Sequence, residues 1–154
     1  MKRIVSLSLI ILIVFSSLGI LASCSPKENF MDPPTINGVS LESFVIVYDF
    51  DGIDYNKRAA EYISTTLSSR YGVSLNMVDD DPKPTNHEIV VGETSRSISA
   101  LLDVETECVE FAILANEGSV ALEGDYFVIA AAAYYFVETY ASQNAQVSTV
   151  PETV

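Results

Sequence analysis

The sequence predicts an α+β domain: a mixed, mainly antiparallel sheet of about five strands with two main helices packed on one face. Three observations predict it. Short β-rich runs recur at Phe44–Tyr48, Val73–Val78, His87–Val91, Glu110–Ala115 and Ser119–Leu122. Tyr55–Tyr71 carries apolar residues at helical spacing, and Tyr126–Tyr140 is apolar nearly all round. Asn116-Glu117-Gly118 is a tight-turn signal between the last two runs, which makes them a hairpin.

In chain order the elements read β-α-β-β-(α)-β-β-α. Val39–Tyr48 ends in the first strand, and the turn Asp49–Asp54 follows with Asp54 as a helix N-cap. In the first helix Tyr55, Ala59, Tyr62, Ile63, Thr66, Leu67 and Tyr71 share one side. Asn56, Lys57, Glu61, Ser64 and Ser68 fall largely on the other. Gly72 suits the position after the helix. Val73, Leu75 and Met77 alternate in the second strand, and Asp79–Asn86 is a surface loop with two prolines. His87–Val91 is the third strand, stopped by Gly92. Ser95–Leu102 is a short helix capped by Thr94, Ser95 or Ser97. After the hairpin, Asp125 caps the closing helix.

The N-terminus reads as an export signal. Lys2 and Arg3 precede an uncharged stretch from Ile4 to Ile20, and Leu21-Ala22-Ser23-Cys24 supplies small residues before a cysteine. This resembles the lipobox of bacterial lipoproteins. The resemblance implies cleavage after Ser23 and a diacylglycerol on the Cys24 thiol, which tethers the domain outside the cytoplasmic membrane. The competing reading is a spanning helix, but Ser6, Ser8, Ser16, Ser17 and Gly19 dilute the stretch. The expected organisation is a signal peptide (1–23), a Pro-containing linker (24–37), one domain (38–140) and a polar tail (141–154). A lipidated Cys24 has no thiol to pair with Cys108, so Cys108 reads as a packed side chain.

Charge narrows the partners. The chain has 8 Lys and Arg against 21 Asp and Glu, a net charge of −13. Loss of Lys2 and Arg3 with the leader leaves six cations and a net charge of −15. Those six are dispersed, and so acidic a chain repels nucleic acid.

A family resemblance rests on several segments. They are Ser43–Tyr48, Ala59-Ala60-Glu61-Tyr62, Tyr71-Gly72-Val73, Glu88–Arg96, the hairpin, and Ala133–Tyr140. Together these resemble the small α/β domain that precedes the catalytic barrel in β-hexosaminidases and α-glucuronidases, over about residues 37–140. Ser95 stands where members tend to have Asn, and Asp125-Tyr126-Phe127 stands where they often carry glycines. In that family the glycosidase carboxylates lie on the barrel that follows, so the resemblance carries over no catalytic residue. It implies a non-catalytic accessory domain, associated with carbohydrate-active enzymes or forming the N-terminal part of one.

The candidate sites read as follows. Asp49, Asp51 and Asp54 with Gly52 fail the calcium-loop pattern, because Gly52 falls at position four and Ala60 at position twelve. Asp79-Asp80-Asp81 is a charge run that solvation explains. His87 is the one histidine and has no ligand cluster around it. No metal, cofactor or catalytic residue is therefore expected. Tyr55, Tyr62 and Tyr71 read as core or core edge, whereas Tyr134, Tyr135 and Tyr140 are candidates for a protein-partner surface on the closing helix. The alternative function is extracytoplasmic capture of a sugar or a cation at the acidic loops.

Overall fold

Val45–Tyr48 (VIVY) and Glu88–Val91 (EIVV) hold continuous apolar runs of the kind that lies inside a sheet covered on both faces. In the structure, a computed structural model describing residues 30–49, 54–80, 83–102, 110–116, 118–126 and 128–142, both are interior strands. The chain opens with a small hairpin, β1 (Thr35–Ile36) and β2 (Val39–Ser40), followed by a 3₁₀ turn at Leu41–Ser43. Then come β3 (Val45–Tyr48), α1 (Asp54–Tyr71), β4 (Met77–Asp79), β5 (Glu88–Val91) and a 3₁₀ turn at Ser99–Leu101. The hairpin β6 (Phe111–Asn116) and β7 (Ser119–Gly124) leads into α2 (Val128–Tyr135), which runs on as a π-helical turn over Phe136–Tyr140.

The α+β class, a mixed five-stranded sheet and two helices are as expected, but the strand sense is not. The order is β4-β3-β5-β7-β6, and only β6 with β7 is antiparallel. The β3–β4, β3–β5 and β5–β7 pairs are all parallel. The physical reason is burial: helix α1 returns the chain to lay β4 beside β3 in the same direction, and both faces of the sheet are then covered.

Alternation along each strand divides the core. Ile46, Tyr48, Ile89, Val91, Val120 and Leu122 face the helices with Ala59, Ile63, Leu67, Ile129, Ala133 and Phe136. Val47, Val90, Ala112, Leu114 and Ala121 face the other way, against Ile98 and Leu102 beside the second 3₁₀ turn. Both helices thus pack on one face, as predicted. Full burial of Ile63 and Leu67 contributes about 1.5–3 kcal/mol each.

Several boundaries move. The expected linker ends inside the fold, because Thr35 and Ile36 pair with Ser40 and Val39, and Ile36 is buried in the main core. Asn37 and Gly38 take positive φ (49° and 81°), the conformation a two-residue hairpin turn of this twist needs. The short helix over 95–102 contracts to the 3₁₀ turn, with no side-chain cap hydrogen bond. Val73 and Leu75 are buried in the approach to β4 rather than in a strand. On α1, Tyr55 is 38% exposed, outside the core or core edge expected for it.

At the far end of α1, Arg70 forms an ion pair with Glu138 of the π-helical turn. That carboxylate holds the Arg70 guanidinium above its ordinary pKa.

Candidate functional site

A parallel sheet gathers the exits of its strands at one end. Where two neighbouring exits leave for opposite sides, a crevice opens between them. Here β3 hands the chain to α1 on one face and then to β4 on one side. Its neighbour β5 hands the chain to the second 3₁₀ turn on the other face, and then to β6 and β7 on the other side. The resulting cavity has a volume of about 530 Å³. That lies within the range of small-molecule sites, about 300–1,000 Å³.

Each strand exit contributes. Asp49 follows β3, Asp80 follows β4, and Gly92-Glu93-Thr94-Ser95 follow β5. Glu123 and Gly124 end β7, with Asp125 and Tyr126 next in the chain. Tyr55 and Asn56 enter from the first turn of α1. Among the described residues the lining therefore holds five carboxyl side chains and no Lys or Arg.

Two features fix its shape. Gly92 has φ of 82°, its N–H donates to the Leu122 carbonyl at 2.8 Å, and a Cβ there would overlap the Asn56 amide. Glycine is what lets α1 approach the β5 exit so closely. The loop beyond it is tied on both sides. The Ser95 N–H donates to Asp80 Oδ2, the Arg96 N–H donates to Thr94 Oγ1 at 3.3 Å, and Thr94 Oγ1 lies 2.9 Å from Ser99 Oγ.

Behind that wall sits a buried ion network. Arg96 Nε donates to Glu88 Oε2 at 2.9 Å, and Nη1 donates to the Asp80 carbonyl at 2.7 Å. Nη1 also lies 3.2 Å from Asp80 Oδ1, close enough for charge pairing but out of hydrogen-bond alignment. The other Glu88 oxygen accepts the Thr85 N–H at 2.8 Å. In the sequence Arg96 reads as one of six scattered cations, and nothing local marks its burial.

The mouth of the crevice is aromatic. Tyr126 and Tyr55 meet edge-to-face with centroids 6.1 Å apart and remain 52% and 38% exposed. Tyr126 adopts φ of 37°, a region a bulky side chain rarely occupies. Its apolar neighbours predict Tyr126 inside the closing helix, but that helix begins at Val128.

The acidic turns that fail as separate calcium loops converge here. Asp49 and Asp80 both line the crevice, while Asp54 pairs with Arg58 at 2.6 Å on the outside of α1. Asp51, Gly52 and Asp81 lie outside the described residues, as do Cys24 and Cys108. Among the described residues no group of three or more His, Cys, Asp or Glu is placed to hold a metal ion.

His87 lies at the opposite end of the sheet. Its Nδ1 is 3.1 Å from the Gly118 carbonyl and its ring packs on Phe44, beside a second hollow of about 480 Å³. On the closing helix Tyr140 is buried and Tyr135 packs between Phe111 and Tyr140. Of the three tyrosines expected on a partner surface, Tyr134 alone is well exposed, with Ala130 and Ala131 on the same side. No described helix is long and apolar enough to cross a membrane.

Comparison with known protein families and with curated proteins finds no match to this chain.

Proposed function

We propose that this chain is an extracytoplasmic module, tethered by lipid on Cys24, that captures a small sugar or cationic ligand without chemistry of its own. The observation that carries the reading is the crevice at the carboxyl ends of β3, β4, β5 and β7. Carboxylates and the Asn56 amide supply acceptors for ligand hydroxyl or ammonium protons. The Tyr55–Tyr126 pair adds an apolar face that orients a ring or a methylene body. The one histidine is engaged at the other end of the sheet, away from these carboxylates.

An accessory role beside a carbohydrate-active enzyme is compatible with capture. Its own support is narrower: Tyr134, stacked beside Tyr62 at 6.4 Å, with Ala130 and Ala131. Stable protein docking needs roughly 800 Å² from each partner, more than one tyrosine and two alanines supply.

Calorimetry on the full chain, in a detergent without a sugar headgroup, tests the capture reading against monosaccharides, small ammonium ions and calcium. Saturable heat with any of them is expected, and silence across all three classes removes the reading. The tether is tested separately. Cys24→Ala should move the expressed protein out of the membrane fraction's acyl-labelled pool, seen by fatty-acid labelling.

A further inference from the structure

Acidic residues are unevenly spread along this chain. Residues 62–78 hold no Asp or Glu, in a sequence where 21 of 154 residues are acidic. They form the second half of α1 and the approach to β4. Ser68, Ser69 and Ser74 are exposed there, and Arg70 is the one cation of the stretch.

The chain enters the fold at this same end. The Met31 N–H donates to the Arg70 carbonyl at 3.1 Å, one of the last carbonyls of α1, which the helix itself leaves without a donor. The Phe30 ring lies directly on Gly72, where a Cβ would sit 2.7 Å from the ring Cδ2. Both side chains stay open to solvent, Phe30 45% and Met31 58% exposed. Among the described residues they are the large exposed apolar side chains closest in the chain to Cys24, with five residues between. Two carboxylates belong to this end: Glu138 is paired with Arg70, and Asp32 follows Met31.

Two lengths decide how a lipid on Cys24 sets the domain. The six steps from Cys24 to Phe30 reach at most about 20–22 Å. Helix α1 has 18 residues, about 27 Å of rise. Its first turn lines the crevice, and its other end carries Phe30 and Met31. The tether is shorter than the distance between the two ends, too short for the domain to turn over onto its crevice.

We propose that Phe30 and Met31 dip into the phospholipid interface beside the Cys24 lipid, so that the C-terminal end of α1 rests on the bilayer and the crevice faces away from it. This rests on the lipid tether proposed above and adds an orientation to it. An aromatic ring and a flexible thioether suit the boundary between headgroups and acyl chains. The acid-free stretch keeps repulsion from anionic headgroups low at this end. The crevice carboxylates lie at the far end of α1.

The chain has no tryptophan, so Phe30→Trp sets a single reporter at the anchored end and Tyr55→Trp sets one at the crevice. Each full chain is expressed in a bacterium, purified from membranes in detergent and returned to phosphatidylcholine vesicles whose acyl chains carry bromine. The Phe30→Trp emission should shift to the blue and be strongly quenched by the bromine. Tyr55→Trp should keep its emission and stay open to aqueous iodide. Met31→Trp is the second position if the Phe30 change disturbs folding. If the reporters at 30 and 31 are quenched no more than the one at 55, in chains that carry a fatty-acid label on Cys24, the orientation is overturned and the tether stands. A chain without that label removes both.

Discussion

Glu88 and Arg96 are buried charges held in a closed pair near the amino end of β5, beside the second hollow. At the carboxyl ends of the strands, Asp49, Asp80, Glu93, Glu123 and Asp125 line an open crevice, with Asp80 reaching back to Arg96 of the pair. Both regions use charge, but in different ways. The paired charges have partners on every side and fix how the β4 and β5 exits sit together. The crevice leaves Glu93 exposed and Asp125 half-buried at its rim, where solvent reaches both. Burial, more than charge count, separates the closed region from the open one.

The largest effect should come from breaking the pair. Arg96→Met leaves Glu88 buried without its cation, and a loss of about 3–5 kcal/mol is expected. Urea unfolding should show a lower midpoint at unchanged slope. Adding Glu88→Leu should recover most of the loss, since an apolar pair of similar volume has no charge to desolvate. A single variant as stable as the parent would erase the contrast between the two regions.

Next in size is the floor of the crevice. Gly92→Ala places a Cβ against Asn56 at a φ of 82°, and about 1–3 kcal/mol should be lost. Combining it with Asn56→Ala should restore only the part due to overlap. Full restoration would mean that the backbone conformation contributes nothing.

What could be read in advance depended on range. Local signals were present even where the expected element was wrong. Thr35-Ile36-Asn37-Gly38-Val39 carries the strongest short hairpin signal in the chain, and the structure makes it β1 and β2. The unbroken run Val45–Tyr48 signals a strand covered on both faces, which argues for parallel neighbours. The crevice needed topology. Asp49 and Asp80 are 31 positions apart, and only the placement of β4 beside β3 brings their loops to one rim. Tyr126 was hidden because an apolar run reads as helix whether or not its first residue turns the other way. Burial of Arg96 had no local signature at all.

A third change separates stability from binding at one residue. Tyr126→Asn keeps a side chain that tolerates a φ of 37°, so relief of strain should offset loss of the exposed ring contact with Tyr55. Stability should hold within about 0.5 kcal/mol, while the binding heat of the capture probes falls. Loss of both together would make the tyrosine a packing residue.

The smallest expected effect is the most diagnostic of the crevice. Glu93→Gln with Asp125→Asn removes two of the five carboxylates among its described residues and keeps their shape. If these charges were structural, as Glu88 is, stability would fall by kilocalories. If they are solvated charges of a strongly acidic chain, the variant should be as stable as the parent or more stable by about 0.5 kcal/mol. The gain should be clearest at low ionic strength and fade as salt screens the parent's own repulsion. Unfolding midpoints at two salt concentrations therefore report directly on charge imbalance, before any ligand is identified. A variant that is less stable at both salts would place the crevice carboxylates with the buried pair.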